Sequence, residues 1–136
     1  MVREIVRDPL FLAQRSEEAR GEDMGTARDL LDTLRSNRGR CVGMAANMIG
    51  VKKRIIAVCD GPVEMIMVNP VILEGSGEYE AEEGCLSLDG TRRTKRYRRI
   101  RVKWQDMSLR ERTGTFEGYT AQIIQHEADH CQGILI

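Results

Sequence analysis

The stretch Gln125–Gln132, QHEADHCQ, near the end of the chain decides which fold and which site the sequence can form. It contains His126, Glu127 and His130 in the pattern HExxH, and these are the only two histidines of the chain. Residues four apart share one face of a helix, so both imidazoles could bind one metal ion with Glu127 beside them. Only six residues follow His130, and none is His, Asp or Glu. A third ligand must therefore come from upstream, or the stretch is an ordinary solvated helix turn.

The upstream segment Glu82–Leu88, EEGCLSL, offers Cys85 as that ligand. Cys85 follows a glycine in a polar stretch that is typical of a loop. One thiolate and two imidazoles would leave a fourth position open for water, as a catalytic metal site requires. The alternative is a half-buried structural thiol. The other cysteines are weaker candidates, because Cys59 lies among strand hydrophobes, Cys131 points about 100° around the helix from the preceding histidine, and Cys41 lies in a turn.

The composition limits the class of protein. The 136 residues include 21 basic and 21 acidic side chains, so the formal net charge is zero. The length fits a single domain, residues 1–136, and the charge balance does not favour binding to nucleic acid or to an anionic membrane. Residues 1–15 lack the apolar run of a signal peptide, and no stretch approaches the roughly 20 apolar residues of a membrane span. With no CxxC pair among the cysteines, we expect a cytoplasmic protein without a disulfide framework.

Hydrophobic spacing predicts an α+β fold. The predicted elements are an amphipathic helix between Asp23 and Asn37, strands at 54–60, 64–73 and 98–106, and a second helix from about Gly118 to Gly133. Asn69-Pro70, Gly75 and Gly77 are expected to break the strands into turns. We therefore expect mostly antiparallel strands around a C-terminal metal-binding helix that carries HExxH, with an amphipathic helix in the N-terminal part.

A third segment, Cys41–Val51, CVGMAANMIGV, is small and apolar. Such runs commonly serve close packing of backbones, but beside a metal the segment could supply backbone polar groups to the rim of a pocket. The motifs GMAA at 43–46, EGCLS at 83–87 and QHEADHCQGIL at 125–135, in this order, form a specific combination. On these motifs the chain resembles the peptide deformylase family over nearly its whole length. That family comprises α+β metallohydrolases that remove the N-formyl group from nascent chains beginning with formyl-methionine.

The resemblance implies a set of site residues and a cofactor. Cys85, His126 and His130 would be the metal ligands, and Glu127 would be the acid/base residue. The Leu86 backbone N–H would donate to the formyl oxygen, Gly43 would contact the substrate backbone, and Met44 would be a further substrate-binding residue. The resemblance also implies one divalent metal ion, ferrous iron in the cell with zinc, nickel or cobalt as replacements, and N-formyl-methionyl peptides as the partners.

Residues close to the ligands in sequence complete the expected site. Tyr119, Gln122 and Ile123 lie one or two turns before the first histidine, so some of them should line the pocket for a methionine side chain. Ile123 would make that wall apolar, and Gln122 would not. Glu83 and Gln125 flank the ligands and would either orient them through hydrogen bonds or be plain surface residues.

The expected chemistry explains these residue types. A formamide resists attack at neutral pH, and a divalent metal lowers the pKa of bound water from about 15.7 towards about 7 and polarises the carbonyl. Glu127 could take the proton of that water and return it to the leaving amine, which is typically worth about 10²–10⁴-fold in rate. A thiolate with two imidazoles suits Fe²⁺ as well as Zn²⁺.

The first motif departs from the family pattern GxGxAAxQ at two positions. Cys41 replaces the first glycine, and Met48 replaces the glutamine whose amide would donate to the oxygen that becomes negative during attack. Methionine has no N–H to donate, and losing one such donor typically costs about 10²–10³-fold in rate. Asn47 could supply an amide only if the local backbone were rotated. The alternative function is a deformylase-like protein that acts on another small amide or formyl group, or that only binds peptides.

The basic run Arg92–Arg99, RRTKRYRR, has two interpretations. It could make transient phosphate contacts with ribosomal RNA, or its charges could be the exposed positions of a hairpin that the acidic residues 78–83 offset. Arg92, close to Cys85 in sequence, could contact a substrate carbonyl. We expect no membrane contact and no specific nucleic-acid partner.

Overall fold

The computed structural model describes all residues from Met1 to Ile136. Five antiparallel strands form one sheet in the order β1-β2-β3-β4-β5. The helices and strands are α1 Pro9–Leu12, α2 Met24–Ser36, β1 Gly43–Ala45, β2 Ile55–Asp60, β3 Val63–Cys85, β4 Leu88–Gln105, β5 Glu111–Glu117 and α3 Gly118–Cys131, with 3₁₀ turns at Gly21–Asp23 and Ala46–Ile49. No helix has the length and apolar character that a bilayer crossing needs. The predicted α+β class, with its antiparallel strands and its C-terminal helix, is confirmed.

Strand β2 explains how the two long helices pack. Ile55 and Ala57 belong to the apolar cluster that includes the buried face of α2, whereas Ile56 and Val58 belong to the cluster that includes the buried face of α3. All four side chains are fully buried. A strand that is covered on both faces has no solvent side, which is why its sequence is continuously apolar rather than alternating. The sheet therefore lies between α2 and α3, and α3 is packed directly on its central part.

Helix α3 is anchored at both ends by glycines with left-handed backbone. Gly118 has a φ of 61° where the chain leaves β5, and Gly133 has a φ of 76° just after the helix. A Cβ at Gly133 would lie 2.4 Å from the carbonyl oxygen of Ala13, so only glycine fits there. Fully burying a side chain such as Ile124 contributes about 1.5–3 kcal/mol to holding the helix on the sheet. The predicted span of this helix, from Gly118 to a C-terminal Gly133, is confirmed.

Strands β3 and β4 are longer than the sequence predicted. Asn69-Pro70, Gly75 and Gly77 lie inside β3, so the prediction that they end strands was wrong. The pairing with β4 shifts register around the proline and again a few residues later. Such bulges accommodate a residue that cannot donate to the ladder, which is how the strand continues through Pro70. On the partner side β4 already begins at Leu88, well before the predicted start.

The basic run lies in β4, opposite the carboxylates of β3. Arg93 is the cross-strand neighbour of Glu82, and Lys95 is the neighbour of Glu80. Arg93 Nη2 also lies 3.5 Å from a carboxylate oxygen of Glu80. Exposed pairs of this kind contribute only about 0.2–1 kcal/mol each to stability, but they offset the positive charge. This pairing favours the interpretation of the run as the exposed charges of a hairpin, except for Arg96, which is buried.

Candidate metal centre

Three ligand side chains from two elements converge beside the sheet. Cys85 is the last residue of β3, and His126 and His130 lie one turn apart on α3. The Cys85 Sγ lies 3.4 Å from Nε2 of His130, and that nitrogen lies 3.1 Å from Nε2 of His126. All three ligand atoms lie within 4.8 Å of one another. Cys85 belongs to the strand end rather than to the loop that its polar neighbours suggested.

These distances fit a small divalent cation. Bonds of about 2.0–2.1 Å to nitrogen and about 2.3 Å to sulfur, in tetrahedral directions, place two nitrogens about 3.3 Å apart and nitrogen and sulfur about 3.6 Å apart. The two measured distances are each about 0.2 Å shorter, which is close to the spacing that coordination would impose. Both histidines are buried, at 7% and 0% exposed. The three residues therefore fit a tetrahedral metal site with one position left open.

A buried ion-pair network orients the first histidine. Glu83 Oε1 lies 2.8 Å from Nδ1 of His126, which fixes the ring so that Nε2 faces the centre. Arg96, only 3% exposed, donates to both oxygens of Glu83 at 2.7 and 2.9 Å and to Asp129 at 2.7 Å. Burial raises the pKa of Glu83, but the hydrogen bonds from His126, Arg96 and Gln122 outweigh it and lower the pKa to about 2. Glu83 is thus held as a carboxylate, and of the two roles that the sequence left open it has the orienting one.

Sequence reasoning did not identify Arg96 and Asp129 as parts of the site. Arg96 was hidden in the basic run, although it shares strand parity with Ile100 and Val102, which point into the core. That parity was the available signal, because alternate residues of a strand face the same side of the sheet. Asp129 carried no signal of its own beyond its position inside HExxH.

Glu127 and Gly43 lie in close contact where β1 passes α3. A Cβ on Gly43 would lie 2.9 Å from Glu127 Oε2 and 2.7 Å from Cγ2 of Ile123. The glycine therefore lets the backbone of β1 approach the carboxylate. Glu127 is 4% exposed, and its Oε1 has no hydrogen-bond partner. Burial raises the pKa of Glu127 to about 7.

The pKa values of the histidines differ because of their surroundings. Burial, followed by the charge of His126, lowers the pKa of His130 to about 3, so that ring stays neutral, as a metal ligand must be. Burial also lowers the pKa of His126, but hydrogen bonds with Cys85 and Glu83 outweigh it and raise the pKa to about 10. A cation bound by these side chains would compete with that proton, so metal binding should release protons.

A cavity of about 760 Å³ opens onto Cys85, His126 and Glu127. Six of the residues expected at the substrate line it, namely Gly43, Met48, Leu86, Tyr119, Gln122 and Ile123. Cys41, one of the weaker ligand candidates, is half-buried and also lines the cavity.

The polar end of Gln122 does not point freely into this cavity. Its Nε2 donates to Glu83 at 2.9 Å, and its Oε1 accepts from the Tyr79 hydroxyl at 3.3 Å. Because both polar atoms are engaged, the methylene groups of Gln122 are left for the cavity. This resolves the conflict between a polar side chain and an apolar wall.

Four of the expected site residues lie elsewhere. Asn47 is fully buried and its Nδ2 donates to the carbonyl oxygen of His130 at 3.0 Å, so its amide supports α3 instead of facing the cavity. Met44 belongs to the core on the α2 side. Arg92 donates to the Asp89 carbonyl oxygen at 3.3 Å and does not line the cavity. The Gln125 side chain exchanges hydrogen bonds with the backbone of Tyr97 and forms none with a ligand side chain.

Met48 occupies the cavity wall as an apolar residue. It is 1% exposed, and its Sδ accepts from the Ala45 N–H at 3.4 Å. A thioether sulfur is a weak acceptor and donates nothing. The site therefore has no side-chain amide at this position, and Asn47 does not replace it.

Comparison with known proteins agrees with this geometry. The family model described as polypeptide deformylase matches residues 2–136. The chain is 54% identical to a peptide deformylase of Clostridium beijerinckii, over the full length of both chains.

The chain belongs to the polypeptide deformylase family. It is also 43% identical over 110 residues to peptide deformylase 1 of Clostridium perfringens, covering 79% of this chain and 74% of that protein. The crystal structure of the peptide deformylase from Thermotoga maritima superposes with a TM-score of 0.88 at 30% identity, covering 99% of this chain and 95% of the other. A Met-Ala-Ser-bound peptide deformylase of Acinetobacter baumannii superposes with a TM-score of 0.89 at 28% identity, covering 99% and 97%.

Membership confirms the family that the three motifs predicted. The deformylase family comprises metallohydrolases that use a single metal ion, and the cluster of Cys85, His126 and His130 is the candidate site for it in this chain. Both the fold and the class of enzyme therefore agree with the sequence-based expectation.

Proposed function

We propose that this deformylase removes the N-formyl group from N-formyl-methionyl peptides in the cytoplasm. The observation that carries the proposal is the position of Glu127. Glu127 follows His126 on α3 and lines the cavity that also opens onto Cys85, and one of its carboxylate oxygens is buried without a hydrogen-bond partner. A protein that only bound peptides would have no use for an unpaired buried carboxylate, which costs stability.

Cys85, His126 and His130 would hold one divalent cation, with ferrous iron as our proposal for the cell and zinc, nickel or cobalt as replacements. A thiolate with two imidazoles is a donor set that suits both iron and zinc. When bound, the cation would polarise the carbonyl and make water acidic enough to attack at neutral pH. Glu83 and Arg96 would keep His126 in the orientation that binding requires, through the hydrogen bonds described above.

The remaining steps belong to the chain's own groups. Glu127 would accept a proton from the attacking water on its carboxylate and deliver it to the amine that leaves. Leu86, in the two-residue turn between β3 and β4, would donate its backbone N–H to the formyl oxygen as negative charge develops there. Ile123, with the methylene groups of Gln122, would contact the methionine side chain.

Met48 supports a second candidate, turnover of another small formyl or amide substrate. An apolar side chain at the cavity wall lacks a donor that would stabilise the transition state for the formyl-peptide reaction. A panel of formylated peptides and small formamides separates the two. Faster hydrolysis of a non-peptide formamide than of formyl-Met-Ala-Ser amide would favour the second candidate.

The test is deformylation of formyl-Met-Ala-Ser amide by anaerobically purified protein, with metal content measured on the same sample. We expect one equivalent of divalent metal and measurable turnover. The Cys85→Ser variant should lose metal and activity, whereas Cys131→Ser, which removes a buried thiol that faces the core, should keep both. Equal metal content and turnover in both variants would contradict the proposed ligand set.

A further inference from the structure

Two arginines at the mouth of the cavity have no carboxylate partner. Arg38 and Arg40 lie between α2 and β1 and line the same cavity as His126 and Glu127. Both are exposed, and neither lies within 4.0 Å of an Asp or Glu side-chain oxygen. Their charges are therefore free to interact with whatever enters the cavity.

The Arg40 guanidinium is held on this wall by Asn37. Nη2 of Arg40 donates to the side-chain oxygen of Asn37, and the Arg40 backbone N–H donates to the Asn37 carbonyl at 2.8 Å. Asn37 is 6% exposed and is itself fixed, because its Nδ2 donates to the carbonyl oxygen of Thr33 in α2 at 2.8 Å. A neutral amide orients the guanidinium without offsetting its charge.

Two carboxylates line the opposite wall, with arginines nearby in the same hairpin. Glu82 and Asp89 line the cavity from the β3–β4 hairpin. Arg93 is the cross-strand neighbour of Glu82, and Arg92 Nη1 lies 3.3 Å from the Asp89 carbonyl oxygen. Residues 38–43 include no Asp or Glu, so the positive charge at the mouth lies on the side between α2 and β1.

Resting on the proposed deformylase function, we infer that Arg38 and Arg40 are specificity residues that bind a carboxylate of the peptide downstream of its formyl-methionine. Only two residues separate Arg40 from Gly43, which contacts Glu127. A peptide whose formyl group reaches the metal centre must therefore pass this wall with its next residues. Formylation removes the positive charge of the peptide's N-terminus. No positive charge at that end of the peptide then weakens the attraction between the peptide's carboxylate and the two arginines. The carboxylate can belong to an acidic side chain or to the C-terminus of a short peptide, since both present the same group to a guanidinium.

The experiment compares kcat/KM among formylated peptides that differ only in charge. The assay compares two acidic peptides, formyl-Met-Asp-Ser amide and formyl-Met-Ala-Asp amide, with the same peptides carrying lysine in place of aspartate. Formyl-Met-Ala-Ser as the free acid is set against its amide. We expect acidic peptides to be preferred over lysine peptides by about 2–10-fold, because exposed charge pairs contribute modestly, and about 0.5 M salt should reduce the preference. A higher kcat/KM for the free acid alone would identify the peptide's C-terminus as the carboxylate that is bound. A higher kcat/KM for the amidated aspartate peptides would identify the acidic side chain.

Two variants separate this role from a general effect of charge. The double variant R38Q/R40Q should bring the acid-to-lysine ratio close to one. R28Q, which removes an exposed arginine of α2 that does not line the cavity, should keep the wild-type ratio. A wild-type enzyme without charge preference, or a double variant that keeps it, would overturn the inference alone. No turnover of any formylated peptide by the metal-loaded protein would instead contradict the proposed function, and the inference with it.

Discussion

Replacing Gly43 by alanine tests the close contact between β1 and the helix that carries HExxH. The new Cβ would lie 2.7 Å from Cγ2 of Ile123 and 2.9 Å from Oε2 of Glu127. Ordinary carbon contacts are about 3.5–4.0 Å, so roughly 1 Å of space is missing. Overpacking of this size costs about 1–3 kcal/mol in the free energy of unfolding. Because Glu127 must move to make room, and a misplacement of about 1 Å can cost about 10²-fold in rate, we expect kcat/KM to fall by about that factor.

The assay is deformylation of a formyl-Met peptide by metal-loaded protein, together with urea unfolding of the same preparation. Gly25→Ala is the matched control, since no atom lies within 4 Å of a Cβ at that helical position. It should leave kcat/KM unchanged and raise the free energy of unfolding by about 0.4–1 kcal/mol. If Gly43→Ala were as active and as stable as the wild type, the close approach of β1 to Glu127 would be wrong.

Three further substitutions address the support of the site. Arg96→Met leaves Glu83 and Asp129 without their counter-charge, so it should lower the free energy of unfolding by about 3–5 kcal/mol and weaken metal binding by about 10–100-fold in chelator competition. The control is Arg99→Met, which removes an exposed arginine whose partner is Glu117 and should lower the free energy of unfolding by less than about 1 kcal/mol. Equal effects of the two substitutions would contradict the buried ion-pair network. Asn47→Ala should lower the free energy of unfolding by about 0.5–1.5 kcal/mol, because the His130 carbonyl loses one of its donors and keeps the Gly133 N–H. A loss of turnover with unchanged urea stability would instead indicate that Asn47 acts in the cavity. Met48→Gln should raise kcat by up to about 10²-fold, since it adds a donor at the cavity wall, whereas Met48→Leu should leave kcat unchanged. Identical kcat values for the Gln and Leu variants would show that the missing donor does not limit the rate.

The metal centre was largely predictable because its residues are defined by chemistry and spacing. The two histidines lie four residues apart on a helix, which fixes their common face whatever the rest of the fold does. Cys85 could be chosen as the third ligand because the site needed one more soft ligand, and the other cysteines either had apolar neighbours or pointed away from the histidines. These inferences depended on residue types and on the spacing of residues along a helix, and both can be read from a single sequence.

The residues that support the centre could not be found in the same way. Strand parity shows which face of β4 Arg96 lies on, but Arg96 is one of many arginines in its segment, and only the register of β4 against the rest of the sheet brings it to Glu83. That register depends on the bulges around Pro70, where the sequence suggested a strand end. Asn47 carries an amide next to Met48, yet tertiary packing directs it to the backbone of α3. Long-range pairing decided these cases, and local pattern does not encode it.

The most direct test of the central claim is the turnover of formyl-Met-Ala-Ser amide by Glu127→Gln, with bound metal measured on the same anaerobic sample. The substitution keeps the shape of the buried side chain and removes its ability to accept a proton. The account predicts one equivalent of metal in both proteins and a rate about 10²–10⁴-fold lower in the variant. Equal rates with equal metal would show that Glu127 does not transfer the proton, and the proposed reaction at this site would then be wrong.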